Sequence, residues 1–293
     1  MPGIQATINS IEAIDEDRKD DLRRKLALNN HLLDERQEGQ VRDRLDREHP
    51  SLKKFRLEPD AELDFEAGQF ITTMYDMEDE DRPVVRQYSI ANSYEDYQDT
   101  GELELCVRLV EDGKFTPELF DMEEGDQLEV AQPAGHFTID ETDRDKVMIA
   151  TGTGIAPIRS MIDSHYHDIE PEEEGEDVWL FHGVRWEDDL AYRDEFEALE
   201  ETYDSFHFVP TLSGELGWDG EDEYVQEVVR DRVENDSLDP DSIETYVCGL
   251  SPMVEYTVQM LTGNNASGAD EIPEEETLDE TVDTDYVNFE LYD

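Results

Sequence analysis

The sequence predicts two domains in series, an antiparallel β barrel followed by an α/β domain built on a parallel sheet. Apolar and polar residues alternate strictly over residues 102–109, which is typical of a strand in an antiparallel sheet. After residue 146, apolar runs alternate four times with helical patterns, which predicts a parallel sheet with right-handed crossovers. The length of 293 residues suits two domains of roughly 150 residues each. We place the boundary between residues 144 and 145.

In the first half, short strand patterns are separated by turn signals, as in a small antiparallel barrel. The predicted strands cover residues 4–14, 52–57, 65–71, 84–90, 102–109 and 127–131. A helix is predicted from about Pro117 to Met122, with Thr116 as its N-cap residue.

A highly charged, helix-like insertion over residues 16–48 interrupts these strands. Its apolar stripe is thin, so one interpretation is a solvated helical insertion. The alternative is a docking arm for a partner, because the segment clusters basic residues in an otherwise acidic chain. These residues are Arg18, Lys19, Arg23, Arg24 and Lys25.

The net charge of −57 is extreme, and all of the imbalance lies after residue 56. Such a chain repels itself at low salt, whereas screening shrinks to about 3 Å at 1 M salt. The composition therefore predicts a protein of a halophilic archaeon, working in a cytoplasm of molar salt. It argues against partners that are bare nucleic acid or anionic lipid.

Cysteine and hydropathy patterns exclude several other classes. Cys106 and Cys248 are too few for a disulfide framework or for an iron–sulfur cluster, and no metal site is predicted. No apolar run approaches the roughly 20 residues of a membrane span. The N-terminus lacks the pattern of a signal peptide, so we expect a cytoplasmic protein.

A strand edge at Arg86-Gln87-Tyr88-Ser89 combines a cation, an aromatic ring and a hydroxyl. Residues i and i+2 of a strand point to one side, so Arg86 and Tyr88 can reach one ligand. Arginine suits a pyrophosphate and tyrosine suits a flat heterocycle. The quartet therefore indicates a flavin dinucleotide site, although a surface arginine beside a half-buried tyrosine is an equally good local interpretation.

Two glycine-containing turns suit phosphate groups. Gly113-Lys114-Phe115-Thr116 precedes the short predicted helix, whose positive end favours an anion, although an ordinary capped helix is the alternative. In the second half, Val147–Ala150 is a buried strand followed by a glycine-rich turn and a helix opened by proline, which predicts a phosphate cradle. Ligands on parallel sheets lie beyond the carboxyl ends of the strands. The residues expected there are Gly152, Gly154, His182, Arg185, Ser213, Cys248 and Gly249.

The end of the chain contains an acidic segment over residues 263–285, which we expect to be flexible. Residues 286–292 are apolar and aromatic again, so we expect the tail to return to the fold.

These motifs, in this order, resemble those of the ferredoxin–NADP reductase superfamily. The resemblance rests on RQYS at 86–89, GKFT at 113–116, GTGIAP at 152–157 and CG at 248–249. It implies an antiparallel FAD-binding barrel followed by a Rossmann-like parallel-sheet nucleotide-binding domain. Its cofactor would be FAD, with NADP or NAD as co-substrate.

The resemblance also implies a role for each matching residue. Those near the flavin would be Arg86, Gln87, Tyr88, Ser89, Cys106, Val107, Arg108, Gly113, Lys114, Phe115 and Thr116. Those near the nicotinamide nucleotide would be Thr151, Gly152, Thr153, Gly154, Ile155, Ala156, Pro157, Arg185, Ser213, Cys248 and Gly249. Tyr292 or Phe289 would cover the second flavin face, and Tyr88, Ser89 and Cys248 are the positional candidates for catalysis.

One departure bears on the nucleotide. Members that prefer NADP often carry Ser-Arg where this chain has Ser213-Gly214. The missing arginine weakens a 2′-phosphate pocket, although Arg185 is a candidate to compensate.

The expected function is electron transfer between NAD(P)H and a one-electron carrier such as ferredoxin, carried by a separate chain. One alternative is a free-flavin or quinone-type NAD(P)H reductase. Another is a flavin-holding electron-transfer subunit of a larger complex.

Overall fold

The computed structural model describes most of the chain. The described residues are 3–15, 18–20, 22–24, 35–47, 50–77, 82–167, 169, 175–215, 217–235, 237–264, 278 and 281–292.

The first half forms one antiparallel sheet of six strands in the spatial order β4-β3-β6-β1-β2-β5. An isolated antiparallel bridge between Ile90 and Leu105 joins the two outer strands, so the sheet closes into a barrel. This confirms the predicted fold of the first half. The strands are β1 (Ile4–Ala13), β2 (Leu52–Pro59), β3 (Phe70–Tyr75), β4 (Val84–Ser89), β5 (Leu103–Arg108) and β6 (Gln127–Val130).

Among the described residues, the helices of the first half whose bounds are given are α1 (Glu35–Asp46), α2 (Tyr94–Thr100) and α3 (Thr116–Asp121). Helix α2 was not predicted. Ser93 caps its start by accepting from the Asp96 N–H, and Gly101 ends it in the left-handed region at φ 75°. Residues 65–69, which were predicted to begin a strand, form irregular backbone and a turn instead.

The second half is a parallel sheet of five strands in the order β11-β10-β7-β8-β9, which confirms the predicted fold class. The strand sequences of this half are continuous apolar runs and do not alternate with polar residues. This is the pattern of a parallel sheet that helices cover on both faces. The strands are β7 (Asp145–Thr151), β8 (Val178–Val184), β9 (Phe206–Leu212), β10 (Ile243–Leu250) and β11 (Val287–Tyr292). The helices are α4 (Ile155–Tyr166), α5 (Arg193–Thr202), α6 (Val225–Glu234) and α7 (Ser251–Thr262).

Part of the acidic segment packs onto this sheet domain. Leu278 and Val282 are buried against α7, and their N–H groups donate to Met260 O at 3.2 Å and Leu261 O at 2.8 Å. The expectation of a flexible segment is therefore wrong for these two residues. Residues 265–277, 279 and 280 lie outside the described residues.

Helix α4 carries the contact between barrel and sheet domain. Arg159 donates from Nη1 to Ala91 O at 2.7 Å, and Ser160 Oγ donates to Asn92 O at 2.7 Å. The carboxylate of Asp163 accepts from the Ser93 N–H at 3.1 Å. Since residues 91–93 directly follow β4, this helix fixes the barrel strand of the quartet relative to the sheet.

The insertion also contacts the sheet domain. Leu22 and Val41 bury their side chains against Trp186, which follows β8. The apolar stripe predicted for the insertion also includes Leu26, Leu28, Leu32 and Leu33, and these leucines and Lys25 lie outside the described residues.

Replacing Arg159 by alanine tests the interdomain contact. The Arg159 guanidinium also pairs with Glu195 at 2.8 Å, and its side chain is 10% exposed. Because the substitution leaves the Ala91 carbonyl without this charged donor, we expect the free energy of unfolding to fall by about 2–3 kcal/mol. Urea denaturation measures the change.

Arg23→Ala is the matched control, since Arg23 is 59% exposed and pairs with Asp20 at 3.0 Å within one turn. We expect it to cost less than about 0.5 kcal/mol. Equal losses in the two variants would show that α4 does not bear the interdomain contact.

Candidate functional site

The direction of the strand order reverses between β7 and β10, which is where ligands bind on open α/β sheets. Thr151 ends β7, and its Oγ1 accepts from the Leu250 N–H at 3.3 Å. A Cβ at residue 154 would lie 2.6 Å from the carbonyl carbon of Cys248. Glycine is therefore required at 154 so that the turns after β7 and β10 can meet.

The predicted phosphate cradle is a 3₁₀ turn over Gly152–Gly154 that leads directly into α4. Gly152 has φ +55°, and no side chain caps the first turn of α4. The N–H groups at the start of this 12-residue helix suit an anion. Ile155 and Ala156 are buried in the core, so their part in such a site is confined to the backbone.

His182 at the end of β8 supports this turn. Burial lowers the pKa of His182 to about 4, so the imidazole is neutral at physiological pH. Its Nε2 lies 3.3 Å from Gly152 O, a distance at which Nε2–H can donate to that carbonyl. Nδ1 is buried and has no hydrogen-bond partner among the residues described.

On the barrel side, the quartet occupies β4, which pairs with β3. Tyr88 is half-buried, and its ring centroid lies 6.0 Å from that of Phe115. Arg86 is exposed, and its Nη1 donates to Val85 O at 2.7 Å. The aromatic contact thus brings the quartet and the segment 113–116 together.

In the segment 113–116, the position and hydrogen bonds of Thr116 differ from the prediction. Thr116 is the first residue of α3 and does not cap it; its Oγ1 accepts from Val110 N–H at 2.9 Å and donates to Val110 O at 3.1 Å. Gly113 N–H also donates to Val110 O, at 2.8 Å, and a Cβ at 113 would lie 2.8 Å from that oxygen. Phe115 is buried in the barrel core, whereas Lys114 is exposed.

Residues 106–108 at the end of β5 point in different directions. Val107 is buried in the barrel core, and Cys106 is buried against the core of the sheet domain. Burial raises the pKa of the Cys106 thiol to about 12. Only Arg108 keeps an accessible side chain, and it pairs with Asp189 at 3.3 Å.

The C-terminal strand completes the crevice. In β11, Glu290 lies beside Cys248 of β10, and the Tyr292 hydroxyl is hydrogen-bonded to Ser89 Oγ. Burial raises the pKa of Cys248 and of Tyr292, so both groups are uncharged at neutral pH. Phe289 lies on the opposite face of β11, which favours Tyr292 as the aromatic residue of the site.

Glu290 is the acidic group of this cluster, and the sequence interpretation missed it. Burial raises the pKa of Glu290 to about 7, while a hydrogen bond from Ser89 acts in the opposite direction. Its Oε2 is buried and has no hydrogen-bond partner among the residues described. The sequence contained a signal for Glu290: Tyr292 was a predicted site residue, and residues 290 and 292 of one strand point to the same side.

The loops after β8 and β9 hold the remaining predicted residues. Ser213 N–H donates to Val184 O at 3.1 Å, and Gly214 N–H donates to Arg185 O at 2.9 Å. A Cβ at 214 would lie 2.9 Å from that carbonyl oxygen. Arg185 is exposed at the carboxyl end of β8.

The arrangement fits an FAD. It offers the half-buried ring of Tyr88, the exposed cations Arg86 and Lys114, and a tight glycine turn at Gly113. The unsatisfied Oε2 of Glu290 can accept a hydrogen bond from a ligand.

Two features are absent from the described residues. Within that part of the chain, no helix has both the length and the apolar character needed to cross a bilayer. In the same residues, no group of three or more His, Cys, Asp or Glu side chains is placed to hold a metal ion.

Comparison with known proteins agrees with this architecture. Residues 48–139 match the model of an oxidoreductase FAD-binding domain, and residues 148–259 match that of an oxidoreductase NAD-binding domain. The fold also matches the crystal structure of a ferredoxin NADP+ reductase from Neisseria gonorrhoeae with bound FAD and NADP. The TM-score is 0.68 at 20% identity, and the match covers 98% of this chain and 97% of that one.

Two curated relatives are similar to the chain at sequence level, and the first shows the family. Ferredoxin–NADP reductase B of Sorangium cellulosum is 32% identical over 204 residues, covering 68% of this chain and 80% of that protein. The phenol hydroxylase P5 protein of Acinetobacter pittii is 31% identical over 217 residues, covering 72% of this chain and 58% of that protein. The chain thus spans less than two thirds of the length of the second relative.

The barrel, the parallel sheet, the two domain matches and the first of these relatives lead to one conclusion. The chain belongs to the ferredoxin–NADP reductase family of oxidoreductases, with an FAD-binding domain followed by an NAD-binding domain.

Proposed function

We propose that this protein transfers electrons between a nicotinamide nucleotide and a one-electron carrier such as ferredoxin. The observation that supports this most is the meeting of Ser89 with Tyr292, beside Cys248 and Glu290, at the switch point of the sheet. When bound, FAD supplies the chemistry, since a flavin accepts a hydride and releases electrons singly. The chain's own residues bind and orient the FAD and the nucleotide, and they move protons.

Each group of residues has a role in this proposal. The Arg86 and Lys114 cations and the turn at Gly113 bind the FAD phosphates, and Tyr88 packs on its ring. The turn at Gly152–Gly154 and the start of α4 bind the nucleotide's pyrophosphate. Cys248, Gly249 and Tyr292 shape the place where the nicotinamide and the flavin meet, with water kept out by the buried thiol and the tyrosine ring.

The nucleotide we favour is NADH. Arg185 is an exposed cation near the expected ribose site, whereas Arg18, which reaches the same two loops, is already paired with Glu187 and Glu215. One arginine makes a weaker 2′-phosphate pocket than two. Gly214 packs against the Arg185 backbone and supplies no second cation.

We propose further that the protein works in a cytoplasm at molar salt, as its charge of −57 requires screening. Activity assays therefore belong in KCl of about 1 M, where the screening length is about 3 Å. A protein that is equally active and stable in dilute buffer would contradict this.

The name of a further relative, the xylene/toluene monooxygenase electron transfer component of Pseudomonas putida, supports a second candidate, an electron-transfer component of an oxygenase. In that case the physiological partner would be a larger enzyme complex and the isolated chain would reduce ferredoxin poorly.

Steady-state reduction of a bacterial-type ferredoxin, followed through cytochrome c in molar KCl, separates these candidates. We expect ferredoxin to be reduced with NADH at a kcat/KM at least about tenfold above that with NADPH. Free FMN and a soluble quinone serve as comparison acceptors. A protein that reduces these two but not ferredoxin is a free-flavin or quinone reductase, and our proposal would then be wrong.

Glu290 predicts the pH dependence of the reaction. The Ser89 hydroxyl donates to the Glu290 carboxylate, and Glu290 can replace a proton that Ser89 Oγ gives up only when its own carboxyl is protonated; its pKa of about 7 places the loss of that proton at neutral pH. We expect kcat to fall as pH rises through about 7 in the wild type. In Glu290→Gln, kcat should be at least about tenfold lower and independent of pH in that range.

Glu234→Gln is the control, since Glu234 is 56% exposed and pairs with Arg230 on α6, away from the crevice. It should keep the wild-type profile. An unchanged inflection in Glu290→Gln would assign the titration to another group.

A further inference from the structure

Asp189 joins three segments of the chain that are distant in sequence. It ends the 3₁₀ turn Glu187–Asp189 after β8, and its carboxylate is only 4% exposed. Arg47, just after α1 of the insertion, donates from Nη1 to both carboxylate oxygens, at 2.8 and 3.1 Å. Arg108 of the barrel strand β5 approaches Oδ1 with Nη2 at 3.3 Å. We call these three residues the Asp189 junction.

The junction lies beside the glycine turn of the nucleotide site. Strand β5, which ends at Arg108, contacts the turn Gly152–Gly154. His182, which bonds that turn, is buried close enough to Asp189 and Arg108 to be influenced by both charges in opposite directions. The Arg108 side chain is 30% exposed, so a ligand from solution can reach it.

Further contacts of the insertion hold the junction in place. Arg44 pairs with Asp188, next to Asp189. Arg18 pairs with Glu215, with Nη1–Oε2 at 3.3 Å, and Glu215 Oε2 also accepts from the Glu187 N–H at 3.1 Å. The insertion thus clamps the loops after β8 and β9. At Arg18, Arg44 and Arg47 its cations face the protein's own sheet domain, which weakens the docking-arm interpretation.

The geometry leaves most of Arg108 available to a ligand. A guanidinium has five N–H donors, and among the described residues Arg108 makes one long contact, with Asp189. Arg47 takes the shorter contacts and neutralises much of the carboxylate. A carboxylate shared in this way holds the Arg108 guanidinium in one orientation but leaves N–H donors for a ligand. Because the side chain is already ordered, less conformational entropy is lost when an anion binds.

We propose that Asp189 and Arg47 are positioning residues that hold the Arg108 guanidinium beside the glycine turn, where it binds the pyrophosphate of the nicotinamide nucleotide. The inference rests on the proposed function in one respect, the identity of the nucleotide as substrate. It assigns a role to the insertion: through Arg47, a segment of the barrel domain tunes the affinity of the sheet domain for its ligand.

The test uses the FAD-loaded full chain in molar KCl and two probes. ADP-ribose carries the pyrophosphate without the nicotinamide, and AMP lacks the pyrophosphate. In Arg108→Ala, calorimetry should show a dissociation constant for ADP-ribose about tenfold higher, while that for AMP changes less than about twofold. Arg47→Ala and Asp189→Asn should each weaken ADP-ribose about three- to tenfold, with KM for NADH rising in parallel and kcat unchanged.

Double variants show whether the residues act through Arg108. Adding Arg47→Ala or Asp189→Asn to Arg108→Ala should cause no further loss of ADP-ribose affinity, because the positioned group is already absent. Arg42→Ala is the matched control, as Arg42 lies on α1, is 76% exposed and, among the described residues, pairs with Glu38 of the same helix. It should leave both probes unaffected.

Three results would overturn the inference: multiplicative losses in the double variants, equal loss of AMP affinity, or an effect of Arg42→Ala as large as that of Arg47→Ala. If Asp189→Asn fails to fold, Arg47→Ala decides, since Arg47 lies at the surface with 20% exposure. A wild type that binds ADP-ribose but does not oxidise NADH would contradict the proposed function and leave this inference standing.

Discussion

The contact of helix α4 with the segment after β4 is the constraint on which the rest of the structure depends. The helix begins at the glycine turn of the nucleotide site, and one turn later Arg159 and Ser160 bond the carbonyls of residues 91 and 92. A helix rises about 1.5 Å per residue and bends little over this length. Helix α4, a rigid element, therefore sets the distance between the turn Gly152–Gly154 and strand β4. Ser89 and Tyr292 can meet across the crevice because this spacing is fixed.

Electrostatics in this acidic chain are organised around its few cations. Those of the insertion and of β5 pair with carboxylates that are nearly inaccessible, such as Asp188, Asp189 and Glu215. Buried pairs of this kind are screened by salt much less than surface charges. Molar salt can thus relieve the repulsion between exposed carboxylates while the pairs that shape the nucleotide site persist. Salt therefore screens the charges on the surface more strongly than the buried ion pairs around the site.

Local patterns were enough to predict the two sheets, the quartet on β4 and the glycine turn before α4, because period, turn residues and strand-to-helix alternation are properties of neighbouring residues. What the sequence could not predict depends on distant partners. In the sequence, Asp189 is one of many acidic residues. The tertiary structure shows that Arg47 and Arg108 both pair with it. Val107 belongs to a motif, yet the barrel closure turns its side chain into the core. The insertion's basic residues look suited to a partner, whereas tertiary structure turns Arg18, Arg44 and Arg47 toward the chain itself.

The most direct test of the account is an anaerobic titration of the purified protein in molar KCl with NADH, followed in the visible spectrum. We expect flavin absorption bands that bleach as NADH is added, because the turn Gly152–Gly154 and strand β4 hold their ligands in contact. A protein that takes up no FAD, or whose flavin stays oxidised with both NADH and NADPH, would contradict it.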